Sequence, residues 1–270
     1  MVAEGTQAYT CGLDTCKGSG YVWSQQETDA ALESDVAQIV RDDAGLADCL
    51  SLFDAGTTTD FEMEGLRTVF SVDESTIKNW QVGEALACAY LESHRDCLIP
   101  WNTQRDLRTP RASLPGVDIC GIRSFEGSDQ FFFCEVKTST DKHYPPHVAS
   151  QNPHSGGLIA QVEELCDNES IRKTVIRYLA TRAKGATWQG RFCNAAKGYV
   201  NAEKRVSVFG FLVRDVEPNV KDLKKRVKDF GEGPEGFQVE FLALYLPLDQ
   251  IQHLAEAVSG LTTQAGGATC

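Results

Sequence analysis

Two strand-like runs, 116–123 and 130–137, are separated by a short segment that contains Glu-Gly-Ser-Asp, and they constrain the fold more than any other feature. The second run reads Phe-Phe-Phe-Cys and continues into Glu135, Val136 and Lys137. This pattern predicts a hairpin of buried strands, in which charged residues are costly unless they are paired or bound to metal. Because side chains alternate along a strand, Glu135 and Lys137 must lie on one face.

The hairpin also predicts which residue faces this pair across the strands. A tight turn at Gly127 and Ser128 would place Asp118 opposite Lys137, with Glu135 as the diagonal neighbour. Two carboxylates and one ammonium group are therefore expected on one patch of the sheet.

A fourth charged residue lies on the helix predicted for residues 78–94. Between Lys78 and Glu92, Glu84 is the single charge, and at helical spacing it belongs to an apolar stripe. A lone carboxylate on a packing face calls for a partner, and the hairpin cluster is an available one.

The remaining pattern predicts an α/β fold with a mixed central sheet flanked by helices. Helical spacing occurs near 29–41, over 158–184, at 219–230 and at 248–258, and strand-like runs cover 205–213 and 237–246. Residues 259–270 are expected to form a flexible tail.

Pro115-Gly116-Val117-Asp118, then Glu135-Val136-Lys137, preceded by the helical Glu84, resembles the PD-(D/E)xK nuclease superfamily. The resemblance covers residues 80–165 and implies a restriction-endonuclease-like core. It also implies a metal-dependent deoxyribonuclease in which Glu84, Asp118, Glu135 and Lys137 are catalytic.

The chemistry of these residue types agrees with that expectation. Mg²⁺ prefers carboxylate and carbonyl oxygens, so Asp118, Glu135 and the Val136 carbonyl are suitable ligands, which Glu84 would complete. Mn²⁺ is a possible substitute for Mg²⁺. Lys137 would orient or deprotonate the attacking water, or neutralise charge on the phosphate. The alternative is a buried structural network of Asp, Lys and Glu without catalysis.

Gln161, on the predicted helix that follows, is a further catalytic candidate implied by the resemblance. Several branches of the superfamily carry a Gln or Lys on that helix, beside the metal centre. An exposed or core-edge Gln is the alternative.

The negative charge of the chain is concentrated at one end. Residues 1–75 hold 15 acidic and 3 basic side chains, whereas residues 137–230 hold 17 basic and 10 acidic ones. A basic middle is a plausible contact surface for a DNA backbone. The acidic region 1–75 would then dock a basic partner or inhibit the site, or it is only a solubilising face.

The layout of the whole chain is similar to that of the nuclease subunit of Hachiman-type anti-phage systems. The similarity rests on an N-terminal extension, Gly83-Glu84 on a helix, the two active strands and the apolar strands near the C-terminus. It implies a defence effector restrained by a helicase partner, with residues 1–75 as an acidic region and 76–258 as the nuclease domain. A stand-alone restriction-type endonuclease and an inactive nuclease-like scaffold are the alternatives.

Two further features of the sequence concern the cellular location of the protein and a second set of candidate metal ligands. The sequence has neither an apolar run of membrane-spanning length nor a secretory signal, so a cytoplasmic protein with reduced cysteines is expected. His143, His147 and His154 share a Pro-containing loop. A zinc site there is one interpretation, and contact of the loop with the DNA backbone is the favoured one.

Overall fold

The computed structural model describes residues 1–13, 15–53, 59–106, 116–150, 156–201, 205–231 and 234–259. Its centre is a seven-stranded mixed sheet of order β1-β2-β7-β6-β5-β4-β3. The strands are Thr6–Leu13 (β1), Cys16–Val22 (β2), Cys97–Leu98 (β3), Ile119–Phe125 (β4), Ser128–Ser139 (β5), Val206–Arg214 (β6) and Phe237–Tyr245 (β7). Strands β2, β7, β6 and β5 run parallel to one another. On one side β1 pairs antiparallel with β2, and on the other β4 pairs antiparallel with both β5 and β3.

Helices cover both faces of the sheet, as the α/β pattern predicts. They are Gln25–Ala31 (α1), Ala37–Arg41 (α2), Asp43–Ser51 (α3), Asp60–Phe70 (α4), Asn79–His94 (α5), Leu158–Asp167 (α6), Glu169–Ala183 (α7), Gln189–Val200 (α8), Lys224–Phe230 (α9) and Leu254–Ser259 (α10). A π-helical turn, Leu32–Val36, joins α1 to α2 in one continuous helical run. A capping box begins this run, because the Ser24 hydroxyl accepts from the Glu27 N–H while Glu27 accepts from the Ser24 N–H.

Alternation along β5 divides the interior into two cores. Phe132 and Cys134 pack into the core under α1, α2, α5 and α10. Phe131 and Phe133 pack into the opposite core, with residues of α6, α7, α8 and α9. Each residue of β5 therefore faces one particular core. A strand that is covered on both faces is apolar throughout, as the Phe-Phe-Phe-Cys run is.

The acidic N-terminal region is built into this sheet. Strand β2 pairs with β7 from Cys16–Val239 to Val22–Tyr245, and the buried Leu32 and Val36 share a core with α5. A domain boundary at residue 75 is expected from the sequence, but β1 and β2 belong to the same sheet as the strands that follow residue 75. No strand was predicted over 6–22, because Gly12, Gly18 and Gly20 lower the strand propensity there.

The hairpin register differs from the prediction by two residues. Ile119 pairs with Cys134 and Phe125 with Ser128, so the turn is Glu126–Gly127 rather than Gly127–Ser128. Both turn residues have positive φ, 48° and 75°, which is the backbone of the tight turn that suits twisted strands. Asp118 is therefore level with Glu135, not with Lys137. A shift of two residues keeps the same face, so the predicted patch is preserved.

Several other predictions can be compared with the structure. The predicted helix at 158–184 is divided at Asn168, whose side chain caps α7. Pro115, His154 and most of the predicted tail, 260–270, lie outside the described residues. Nine cysteines of the described part are free thiols. Within that part, no helix is long and apolar enough to cross a membrane.

Candidate active site

Asp118 and Glu135 meet where β4 begins. Asp118 immediately precedes β4, and its Oδ2 accepts a hydrogen bond of 2.8 Å from the N–H of Val136. Asp118 also lies close enough to Glu135 to raise the pKa of its carboxyl group. The β4–β5 ladder ends at the Ile119–Cys134 pair, and both carboxyl groups lie just beyond this end.

Lys137 supplies the positive charge of the cluster. Its Nζ lies 3.9 Å from Oε2 of Glu135, and its side chain is 22% exposed while that of Glu135 is 4% exposed. The Glu135 Oε2 atom is buried and has no hydrogen-bond partner in the described part of the chain. A buried carboxylate oxygen in this state is costly unless a further positive group reaches it.

Glu84 approaches the same cluster from α5, which covers the face opposite to the one that Glu135 and Lys137 share with Phe131 and Phe133. The preceding residue, Gly83, lies so close to β5 that an added Cβ would be 2.0 Å from the hydroxyl of Thr138. This close approach brings Glu84 near enough to interact electrostatically with Asp118 and Lys137. The role of Gly83 was not recognised in the sequence, since a glycine within a helix does not reveal what it contacts.

The electrostatics of the cluster are dominated by buried negative charge. Burial, together with the neighbouring Asp118 carboxylate, raises the pKa of Glu84 from 4.5 to about 8, against the opposing effect of Lys137. Burial and Asp118 likewise raise the pKa of Glu135 well above its usual range. One ammonium group therefore does not balance three carboxyl groups in this setting.

The donor atoms fit a hard divalent cation. Carboxylate oxygens come from Glu84, Asp118 and Glu135, and Oε2 of Glu135, which has no hydrogen-bond partner within the described residues, can accept a bond to a cation. The N–H of Val136 points to Asp118, and since both polar groups of a strand residue point the same way, its carbonyl faces this side too. The structure thus brings together four predicted residues and the predicted carbonyl.

Gln161 lies near the other predicted site residues but is not joined to them by a hydrogen bond in the described part of the chain. It lies on α6, where the adjacent Val162 would be 3.1 Å from a Cβ added at Gly210, the β6 partner of Glu135. Its side chain makes no hydrogen bond to the four clustered residues within the described ranges, and its buried Oε1 has no partner there. Gln161 is therefore close in the fold but not part of the hydrogen-bonded cluster.

A cleft of about 920 Å³ leads to Glu84 and Asp118. Part of its wall comes from the N-terminal region, which contributes Asp35, Asp42, Asp43 and Asp73. Arg105 is the one side-chain cation among its described lining residues, and it is paired with Asp42 at 2.7 Å. The number of acidic residues in 1–75 predicts an acidic surface, but the sequence does not predict that this surface lies beside the site.

No protein-family model matches the sequence, and no curated protein matches it at a significant level. The candidate site is therefore defined by its own geometry: three carboxyl groups and one ammonium group at the end of the β4–β5 ladder.

Proposed function

We propose that the protein is a cytoplasmic, metal-dependent nuclease with a restriction-endonuclease-like core that hydrolyses phosphodiester bonds of DNA. The observation that carries the proposal is the convergence of Asp118, Glu135, Lys137 and Glu84, with a buried Glu135 oxygen that has no hydrogen-bond partner among the described residues. A structural network would be expected to satisfy that oxygen internally. In a site for a hard cation, the same oxygen is left available to bind the ion.

The residues have separate tasks in this proposal. Asp118, Glu135, Glu84 and the Val136 carbonyl would hold Mg²⁺ or Mn²⁺, which when bound polarises the phosphate and favours ionisation of water. Lys137, partly exposed beside Glu135, would orient the attacking water and offset negative charge on the phosphate. The Val136 N–H keeps Asp118 in place.

Plasmid cleavage is the direct test of the proposal. Purified full-length chain is incubated with supercoiled plasmid in Mg²⁺, in Mn²⁺ and in EDTA, and with single-stranded DNA and RNA in parallel. We expect nicking that requires the metal and is abolished by EDTA. Absence of cleavage with every substrate and both metals would contradict the proposal and favour the inactive scaffold.

Metal binding should change how stability depends on pH. The raised pKa of Glu84 means that the unfolded chain loses this proton near pH 4.5 and the folded chain near pH 8. The folded state binds more protons between these values, so the stability of the metal-free protein should fall as pH rises through this window. Mg²⁺ or Mn²⁺ requires the ionised carboxylate, so the gain in melting temperature on adding metal should grow with pH.

Thermal melts with EDTA or with Mn²⁺ between pH 6 and pH 9 check this expectation, and Glu84→Gln is the informative variant. Its melting temperature in EDTA should fall less with pH than that of the wild type, and its gain from Mn²⁺ should be smaller. Glu256→Gln, at an exposed position of α10, is the matched control. Identical pH profiles for wild type and Glu84→Gln would contradict the assignment of Glu84.

We further propose that the protein is the effector of a two-component anti-phage system, restrained by a helicase partner. The acidic wall of the cleft supports restraint, because four carboxylates of the N-terminal region border the route to the site. Negative charge there lowers the attraction for a polyanion unless a partner covers or displaces it. The helicase itself is inferred from the resemblance of the sequence.

Removing negative charge from the acidic wall of the cleft should strengthen DNA binding, and the effect should depend on salt concentration. Asp35→Asn with Asp43→Asn is expected to increase affinity several-fold at low salt and little at high salt, since exposed charges are screened within about 8 Å at physiological ionic strength. Fluorescence anisotropy of a labelled duplex in EDTA measures this. The control is Glu33→Gln with Glu64→Gln, two exposed acidic residues of the same region outside the cleft lining. An equal increase in the control would show only a net-charge effect.

A further inference from the structure

A second cluster of possible ligands lies in the loop that follows β5. Asp141, His143 and His147 come from one seven-residue stretch, and one ligand atom from each lies within 4.8 Å of the others. The Nδ1 atoms of the two histidines are each 2.6 Å from a different oxygen of Asp141. The two histidines are separated by three residues, a spacing found in many zinc sites.

The Asp141 carboxylate does not depend on the imidazole rings for its hydrogen bonds. The backbone N–H groups of His143 and His147 donate to the same two oxygens at 3.0 and 2.9 Å. Hydrogen bonds from both backbones, and then from both rings, hold the pKa of Asp141 well below its usual range. These four hydrogen bonds hold both oxygens of the carboxylate in fixed positions.

The loop is anchored from beneath by a buried arginine. The guanidinium of Arg214 donates to the carbonyls of Asp141 and His143, and it is held in turn by Asp222 at 3.2 Å. The hydroxyl of Tyr144 donates to the Glu217 carbonyl at 3.0 Å. The three ligands are thus held in place before any ion binds, which reduces the ordering cost of binding.

The two rings themselves contribute little to the core. The side chains of His143 and His147 are 73% and 82% exposed. Rings that are fixed in position yet open to solvent are accessible to an ion, and they leave further coordination positions for water. His154, the third histidine of the expected loop set, lies outside the described residues, and Asp141 takes its place in this cluster.

We propose that Asp141, His143 and His147 form a binding site for a borderline divalent ion of the zinc class, separate from the carboxylate cluster. Two imidazoles and one carboxylate suit Zn²⁺, Co²⁺ or Ni²⁺, whereas the oxygen donors around Asp118 suit Mg²⁺. For Nδ1 to bind the ion, the single proton of each neutral imidazole must be on Nε2. Exchange with solvent moves the proton there, so a neutral ring neither gains nor loses a proton overall. Three protein ligands with an open fourth position describe the site.

Zinc titration of the full-length chain tests the proposal. Isothermal calorimetry of wild type, His143→Ala, His147→Ala and the double variant gives the number of Zn²⁺ equivalents. Zn²⁺ can also bind the carboxylate cluster or the exposed Cys193 thiol, so the readout is the difference between proteins. We expect the double variant to bind one equivalent fewer, and each single variant to bind at that site with an affinity lower by about tenfold or more.

Cobalt absorption identifies the ligands independently of stoichiometry. Co²⁺ added to the wild type should give visible d–d bands that are lost in the double variant and weakened in Asp141→Asn. His253→Ala is the matched control, since His253 is exposed and likewise contacts a carboxylate, Glu256, at 3.3 Å. Unchanged stoichiometry and bands in the double variant would overturn the proposal, as would an equal loss in His253→Ala. Neither readout depends on cleavage, so failure of this site and failure of the proposed nuclease are distinguishable.

Discussion

Glu135→Gln is expected to abolish metal-dependent cleavage while leaving the metal-free fold almost unchanged. Burial and Asp118 raise the pKa of Glu135, so the metal-free protein holds this group in its neutral form near pH 7. A neutral amide of the same shape should therefore fit the same space. It cannot become the anionic ligand that the metal requires. Loss of function without loss of stability is the combination that separates a metal ligand from a structural residue.

Lys137→Ala tests the other charge of the cluster. Its Nζ lies 3.9 Å from Glu135, and its loss should reduce kcat by about 10³-fold, the usual range for a group that transfers a proton or stabilises developing charge. Rates are measured by plasmid nicking under saturating Mg²⁺, with circular dichroism melts of each variant. Lys173→Ala, an exposed lysine on α7, is the control and should cleave like the wild type. Wild-type rates in Glu135→Gln or Lys137→Ala would remove these residues from the site.

The part of the site that could be predicted depends on local patterns. Alternation along one strand fixed Glu135 and Lys137 on one face, and helical spacing placed Glu84 among buried neighbours, as the structure shows. The register was wrong by two residues because Glu126, not Ser128, accompanies Gly127 in the turn. Glutamate rarely adopts positive φ, so the sequence favoured the Gly-Ser turn. An error of two residues kept the face and changed only the direct partner.

The parts that could not be predicted depend on contacts between distant segments. Strand β2 contains glycines at 18 and 20, and the side of Gly20 is occupied by the ring of Tyr9, which would be 2.4 Å from an added Cβ. These glycines weaken local strand preference, while pairing with β7 stabilises the strand. The acidic cleft wall has the same origin, since residues near 35–43 reach the site only through packing of α2 and α5.

Deletion of residues 1–22 is expected to prevent stable folding. It removes β1 and β2, including the buried Tyr21, and leaves the apolar strand β7 as an unpaired edge with Phe241 and Leu242. An exposed apolar edge favours aggregation, and a typical domain has only about 5–15 kcal/mol of stability to lose. Soluble yield and the presence of a cooperative thermal transition measure the effect.

A change in the same region but outside the sheet is the control for that deletion. Phe61 on α4 is 88% exposed, so Phe61→Ser should melt like the wild type. A truncated chain with a wild-type melting temperature would instead show that the β1–β2 hairpin is separable from the rest of the fold. If the truncated chain unfolds, its loss of activity says nothing about restraint. In that case the proposed inhibitory role of residues 1–75 must be tested by point substitutions in the cleft wall, because these change charge beside the site and keep the sheet intact.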